Sequence, residues 1–192
     1  MPTEPTRIAR RRAATRDRIL DVAARRFAAS GPDGVRLEEI ADEADVARGT
    51  LYSHFPTKDG LVQEVLRPAL QRAMDEARDL KDLGAVESVE RLLRLYLELW
   101  RDHRDSIRLA YRMTPGSLGT LSGLHEEFLR TVWSSFTPAA ELGLLRSGDP
   151  VLSARVLSRL AIPMLEILSG KPGGEALFVD SMRGLLLREP KE

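Results

Sequence analysis

The chain of 192 residues contains no cysteine. That excludes disulfide staples, thiolate metal centres and cysteine nucleophiles, and it is the usage expected in a reducing, cytoplasmic compartment. No run of about 18 apolar residues occurs, so no membrane-spanning helix is expected. The arginines near the N-terminus are not followed by an apolar segment of the kind a secretory signal needs. Aromatic residues are scarce, at 5%, and histidines number three, His54, His103 and His125. They form no His-x-x-x-His pair and no zinc-ligand spacing, so no metal site and no cofactor is expected. Gly170-Lys171 is followed by Pro172 and is not a phosphate-binding loop, and Gly116-Ser117-Leu118-Gly119 lacks the Gly-x-Ser-x-Gly elbow of a serine nucleophile. Carboxylates are numerous but scattered over helix faces, the pattern of a solvated surface. An enzyme is therefore not expected.

Net charge is also absent, with 29 cationic and 29 acidic side chains. Its distribution is uneven, however. The first 26 residues hold eight arginines (Arg7, Arg10, Arg11, Arg12, Arg16, Arg18, Arg25 and Arg26) against Glu4, Asp17 and Asp21. A basic end on a neutral chain is a localised electrostatic footprint of the kind that attracts a polyanion.

What is present is helical periodicity. Residues 1–13, opened by Pro2 and Pro5, read as a flexible basic arm, with 1–14 set apart from the domains that follow. Thr15 is the predicted N-cap of a helix carrying Ile19, Ala23 and Phe27 at i+4 spacing. Gly31-Pro32-Asp33-Gly34 breaks it. Leu37, Ile40, Ala41 and Ala44 form a second, shorter stripe, and Ala44-Asp45-Val46 is a turn. Leu51 and Phe55 anchor a third helix on the first two, and Pro56 ends it, because the residue before proline avoids the helical region. Projected around that third helix, Gly49, Thr50 and Ser53 lie opposite Leu51 and Phe55, with Tyr52 and His54 flanking. Arg48 opens the helix, where it can reach a guanine edge or a phosphate. Tyr52, His54 and Lys58 are better placed for phosphates. Two helices, a tight turn and a polar third helix make a helix-turn-helix able to enter a DNA major groove.

Further helices are predicted over 58–80, with Pro68 as a kink or break, and over 85–102, 106–113, 118–136, 151–168 and 175–187. There is no strand-like alternation, no internal repeat and no low-complexity tract. The expected fold is all-α, with a helix-turn-helix domain over 15–62 and a larger helical bundle over 63–192. Candidate pocket residues in the bundle are Tyr96, Trp100, His103, Tyr111, Met113, His125, Phe128 and Trp133. Two apolar stripes near the C-terminus are candidate dimer surfaces, one with Leu157, Leu160, Ala161, Met164, Leu165 and Leu168, the other with Leu177, Met182, Leu185 and Leu186. The rival to DNA binding is an all-α module that uses its three-helix unit on another protein.

The run from Arg18 to Phe27 and the run from Ile40 to Lys58, with its Gly49-Thr50-Leu51-Tyr52-x-His54-Phe55-x-x-Lys58 core, resemble the DNA-binding domain of TetR-type transcriptional regulators. The resemblance covers about residues 15–62. It implies a homodimer on a near-palindromic double-stranded DNA operator, most often a repressor released by a small effector. It also implies DNA contacts from Ala47, Arg48, Gly49, Thr50, Tyr52, Ser53, His54 and Lys58, and from Arg36 and Leu37 at the start of the second helix. This sequence departs from the pattern in three places. Val35-Arg36-Leu37 stands where a hydroxyl often caps the second helix, Asp45 occupies a turn position that is usually glycine, and Ala47 replaces a frequent serine.

Overall fold

In the computed structural model, residues 6–113 and 122–188 are described, apart from the side chains of Lys81, Ser122, Leu124 and His125. Among the described residues every regular element is helical: α1 (Arg7–Ser30), α2 (Leu37–Glu43), α3 (Arg48–His54), α4 (Lys58–Arg78), a 3-10 turn (Asp79–Asp82), α5 (Ala85–Arg112), α6 (Ser122–Ser134), α7 (Thr137–Glu141), α8 (Pro150–Leu168) and α9 (Gly174–Leu186). A single antiparallel bridge, Leu145 to Leu187, ties the α7–α8 loop to the end of α9. No described helix is long and apolar enough to cross a membrane.

The helix ends are set by local chemistry. Thr6 Oγ1 accepts from the Ala9 amide at 3.2 Å, so α1 starts at Arg7, eight residues before Thr15. Most of the expected flexible basic arm is therefore helical, and arginine is a good helix former. Asp149 Oδ1 accepts from the Val151 amide at 2.8 Å and from the Leu152 amide at 3.2 Å. Pro150 follows at the first helical position, where its missing N–H costs nothing. Thr57 caps α4 through the Gly60 amide. Pro68 does not break α4, which runs on to Arg78. α5 likewise passes through the polar run Asp102-His103-Arg104-Asp105, where only His103 leaves helical geometry (φ −135°, ψ 36°). The expected gap at 103–105 is thus a single irregular residue.

Two apolar cores result. The first joins Ile19, Val22, Ala23 and Phe27 of α1 to Ile40 and Ala41 of α2, Leu51, Phe55, and Leu61 to Leu70 of α4. Leu109 of α5, fully buried, belongs to it as well. The second gathers Ala73, Ala77, Leu92, Tyr96, Trp100, Val132, Phe136, Leu157, Ala161, Phe178 and Met182. α4 and α5 each enter both cores, so they are the elements that join the two. Between them runs a ladder of ion pairs, Arg72 with Asp102 and Glu98, and Arg91 with Glu76 and Glu98. Near the irregular turn of α5, Ser106 Oγ donates to the Val65 carbonyl of α4 at 2.8 Å.

A candidate DNA-binding face and an apolar pocket

The turn between α2 and α3 depends on Asp45, whose φ of 51° lies in the left-handed region. Aspartate tolerates that region better than most residues. It lets the Val46 amide reach back to the Ala41 carbonyl at 3.0 Å, so the turn forms without the usual glycine. α3 then lays Leu51, fully buried, and Phe55 against α1 and α2. Its other side is open. Ala47, Arg48, Gly49, Tyr52 and Ser53 are exposed and Thr50 is half-buried. A Cβ added at Gly49 would meet no atom of the described residues within 4 Å, so none of them crowds the helix at this point.

Several of these polar groups are held by neighbours. The Tyr52 hydroxyl donates to Glu38 Oε1 at 3.1 Å, and Ser53 Oγ donates to the Thr50 carbonyl at 2.7 Å. Lys58 Nζ donates to the Pro32 carbonyl at 3.0 Å, so this ammonium is engaged within the domain. Arg36 pairs with Glu39 at 3.0 Å and supplies no side-chain cap to α2. Glu38 and Glu39 occupy the first turn of α2 instead, where carboxylates favour the positive end of the helix dipole. Leu37, expected on the DNA-facing side, is only 8% exposed and packs into the first core. Its side chain is one of the three apolar anchors of a seven-residue helix, which leaves it no route outward.

α1 places its basic first turns beside this face. Arg7, Arg10, Arg11 and Arg12 are exposed. Partial burial together with the positive charges of Arg12 and Arg16 depresses the His54 pKa, so the imidazole is neutral at neutral pH. Arg16 also stacks over the Phe55 ring at 5.5 Å and pairs with Glu64. The sequence reading missed Glu38 and Arg12. Both act across elements, α2 to α3 and α1 to α3, and sequence spacing carries no sign of such pairs.

In the bundle, an apolar pocket of about 110 Å³ is lined by Ala69, Leu70 and Ala73 of α4, Tyr96, Leu99, Ile107, Ala110 and Tyr111 of α5, Phe128 and Leu129 of α6, and Ser158 and Ile162 of α8. Of the expected pocket residues, Tyr96, Tyr111 and Phe128 line it. Among the described residues no charged side chain does, and the polar groups are three hydroxyls. That of Tyr111 donates to the Arg159 carbonyl at 3.3 Å. Burial pushes the Tyr96 phenol up to about 12, partly offset by the neighbouring Ser158 hydroxyl. Trp100 instead lines a second hollow of about 160 Å³, together with Leu97, Arg101, Arg104 and Glu175, and lies under the Arg104 guanidinium at 4.9 Å. Its indole N–H is buried without a protein partner. Met113 packs on the first core and Trp133 on the second. His103 is half-buried and lines none of these hollows, and the His125 side chain lies outside the described residues.

The two C-terminal stripes divide. Leu157, Ala161, Leu165, Met182 and Leu186 are buried in the second core, so they are not available as a dimer surface in the way the sequence suggested. The stripes are wide enough to cover two faces of each helix, and the inner face packs on α5. Met164 and Leu168 are half-buried. Leu160, Leu177 and Leu185 remain exposed, joined by Leu152 and by Ile167, which is 67% exposed.

This fold and face have clear relatives. Residues 19–65 match the family model for bacterial regulatory proteins of the tetR family. The HTH-type transcriptional repressor KstR2 of Mycolicibacterium smegmatis is 32% identical over 102 residues, 52% of this chain and 49% of that protein. The chain thus matches about half the length of that relative. The uncharacterized HTH-type transcriptional regulator Rv1255c of Mycobacterium tuberculosis is also 32% identical, over 168 residues that cover 86% of this chain and 79% of that one. The crystal structure of AibR in complex with isovaleryl coenzyme A and operator DNA superposes with a TM-score of 0.74 at 19% identity, covering 90% of this chain and 98% of AibR. At that identity the likeness is one of fold. The chain belongs to the tetR family of bacterial regulatory proteins.

Proposed function

We propose that the protein acts in the cytoplasm as a homodimeric repressor on a near-palindromic operator, and that a small, uncharged, mainly apolar molecule in the α4–α5–α6–α8 pocket releases it. Binding, not chemistry, is its role. Arg48, Gly49, Thr50 and Ser53 face the base edges. His54, Arg36 and the α1 arginines face phosphates, which fix register without reading sequence, while the Tyr52 hydroxyl is held by Glu38. Ala47 lies at the edge of the same face, and Lys58, with one of its three N–H donors on the Pro32 carbonyl, keeps two for a phosphate. The exposed residues Leu152, Leu160, Ile167, Leu177 and Leu185 form the outer face of α8 and α9, suited to a four-helix contact across a two-fold axis.

The observation that carries the ligand half of this reading is where the pocket lies. Its walls come chiefly from α4 and α5, the two helices shared by both cores. A molecule that pushes these walls apart changes the angle at which the first core is held, and with it the distance between two α3 helices that must sit about 34 Å apart, one DNA turn. AibR, whose structure holds both isovaleryl coenzyme A and operator DNA, supports the view that this architecture takes both kinds of partner.

The test is selection of the purified protein against a random duplex library at roughly 100 mM salt, where counterion release still permits tight binding. The expected product is an inverted repeat whose half-sites are about one turn apart. Absence of any enriched sequence, also with protein unfolded and refolded to strip bound ligand, would refute the operator reading and favour a protein partner for the three-helix unit.

A further inference from the structure

The Tyr52–Glu38 hydrogen bond places a carboxylate where a DNA-binding face would ordinarily exclude one. Glu38 is the second residue of α2, and Tyr52, its donor at 3.1 Å, is 43% exposed on the open side of α3. A hydrogen bond with its own backbone amide lowers the Glu38 pKa most, with help from Tyr52, Arg48 and Arg36, so the group is ionised at neutral pH. It is not neutralised by a salt bridge. Arg36 pairs with Glu39, and among the described residues no cation lies within 4 Å of the Glu38 oxygens. An ionised, acceptor-only group facing a duplex is repelled by every phosphate and by the acceptor edges of guanine and thymine. Adenine offers an amino group, but beside the N7 acceptor. Cytosine alone presents in the major groove a donor, the N4 amino group, with no adjacent acceptor.

The geometry points to Glu38 as a specificity-determining residue that accepts a hydrogen bond from the N4 amino group of one cytosine in each half-site, its carboxylate aimed by the Tyr52 hydroxyl and flanked by Arg48. This rests on the operator reading above. Arg48, next to it and unpaired among the described residues, is free to take the O6 and N7 of a nearby guanine, so the two side chains together favour C·G pairs.

The full-length wild-type protein and the variants Glu38→Ala, Glu38→Gln and Tyr52→Phe are selected in parallel against the same random library. The wild type is expected to show a cytosine preference of about tenfold at one position of each half-site. Glu38→Ala should lose that preference while keeping the others. Glu38→Gln should move it towards adenine, whose N6 and N7 a glutamine side chain matches. Tyr52→Phe should weaken binding and blunt the cytosine preference without replacing it. An unchanged half-site in Glu38→Ala, whether at equal or at uniformly reduced affinity, overturns the inference and leaves Glu38 as a support for Tyr52. A wild type that enriches nothing overturns the operator reading itself, and the inference with it.

Discussion

Replacing Ala73 with leucine should fill the pocket from the α4 side. Ala73 is buried, belongs to the second core and lines the pocket directly. Leucine adds three carbons. At about 0.8 kcal/mol per buried methylene the gain is a little over 2 kcal/mol. Alanine and leucine are both strong helix formers, so propensity hardly changes. In a well-packed core the same insertion would cost about 1–3 kcal/mol through forced rotamers and shifted backbone. The sign of the effect therefore reports whether the 110 Å³ of space is there. A gain of 2 kcal/mol in a chain of this size corresponds to a midpoint rise of roughly 4–8 °C, easily read by far-UV circular dichroism during heating. Xenon supplies an independent readout, since apolar cavities take it up. Xenon under pressure should perturb the nuclear resonances of residues around the pocket in the wild type and not in Ala73→Leu. A variant that melts lower than the wild type and binds xenon equally well would refute the reasoning, because leucine at 73 would then be meeting packed atoms.

Two further outcomes are expected. Because the Tyr96 phenol titrates near 12 when folded and near 10.0 when unfolded, its neutral form is favoured by the fold. The stability it contributes is complete below pH 10 and declines as pH rises towards 12, by about 3 kcal/mol at most. Urea titrations at increasing pH should show a steeper loss for the wild type than for Tyr96→Phe. Phe27→Ala, at a fully buried position in the first core, should cost about 3–5 kcal/mol and abolish operator binding at moderate temperature, as seen by denaturant midpoint and gel retardation.

The helix-turn-helix was legible because its signals are local. Leu51 and Phe55 are four residues apart, Pro56 stops the helix, and Asp45 is one of the few non-glycine residues that accept a left-handed turn. The misread boundaries share a different cause. Pro2 and Pro5 suggested an irregular start, yet one threonine hydroxyl at residue 6 suffices to cap α1. The cluster Asp102-His103-Arg104-Asp105 looked like a break, but Arg72 on α4 pairs with Asp102, and Leu109 and Ser106 fasten the following turns to the first core. Tertiary partners hold the helix together where its own sequence is weakest. The buried half of the α8 and α9 stripes was unreadable for a related reason. Periodicity tells which residues are apolar, not which of two apolar neighbours, α5 or a second chain, will cover them.

The pocket's size bears on how release can work. A ligand shifts an equilibrium only by its difference in affinity for the two states, and reversing a 99:1 preference for the DNA-bound conformer takes about 5.5 kcal/mol. On the proposed reading, a molecule that binds equally well whether or not α4 and α5 separate releases nothing. For comparison, an engineered apolar cavity of about 150 Å³ holds benzene. If the proposed release acts by parting α4 and α5, the inducer is larger than the space it enters, and its excess apolar surface is buried only once the two helices separate. At about 0.8 kcal/mol per methylene, roughly seven additional buried carbons supply the required difference. Such a molecule strains the hydrogen bond from Ser106 to Val65, which closes α5 onto α4 one turn from Ala69. Within a graded series of uncharged apolar compounds, release of DNA should then appear above a threshold of chain length, while compounds below it bind and leave the operator complex intact.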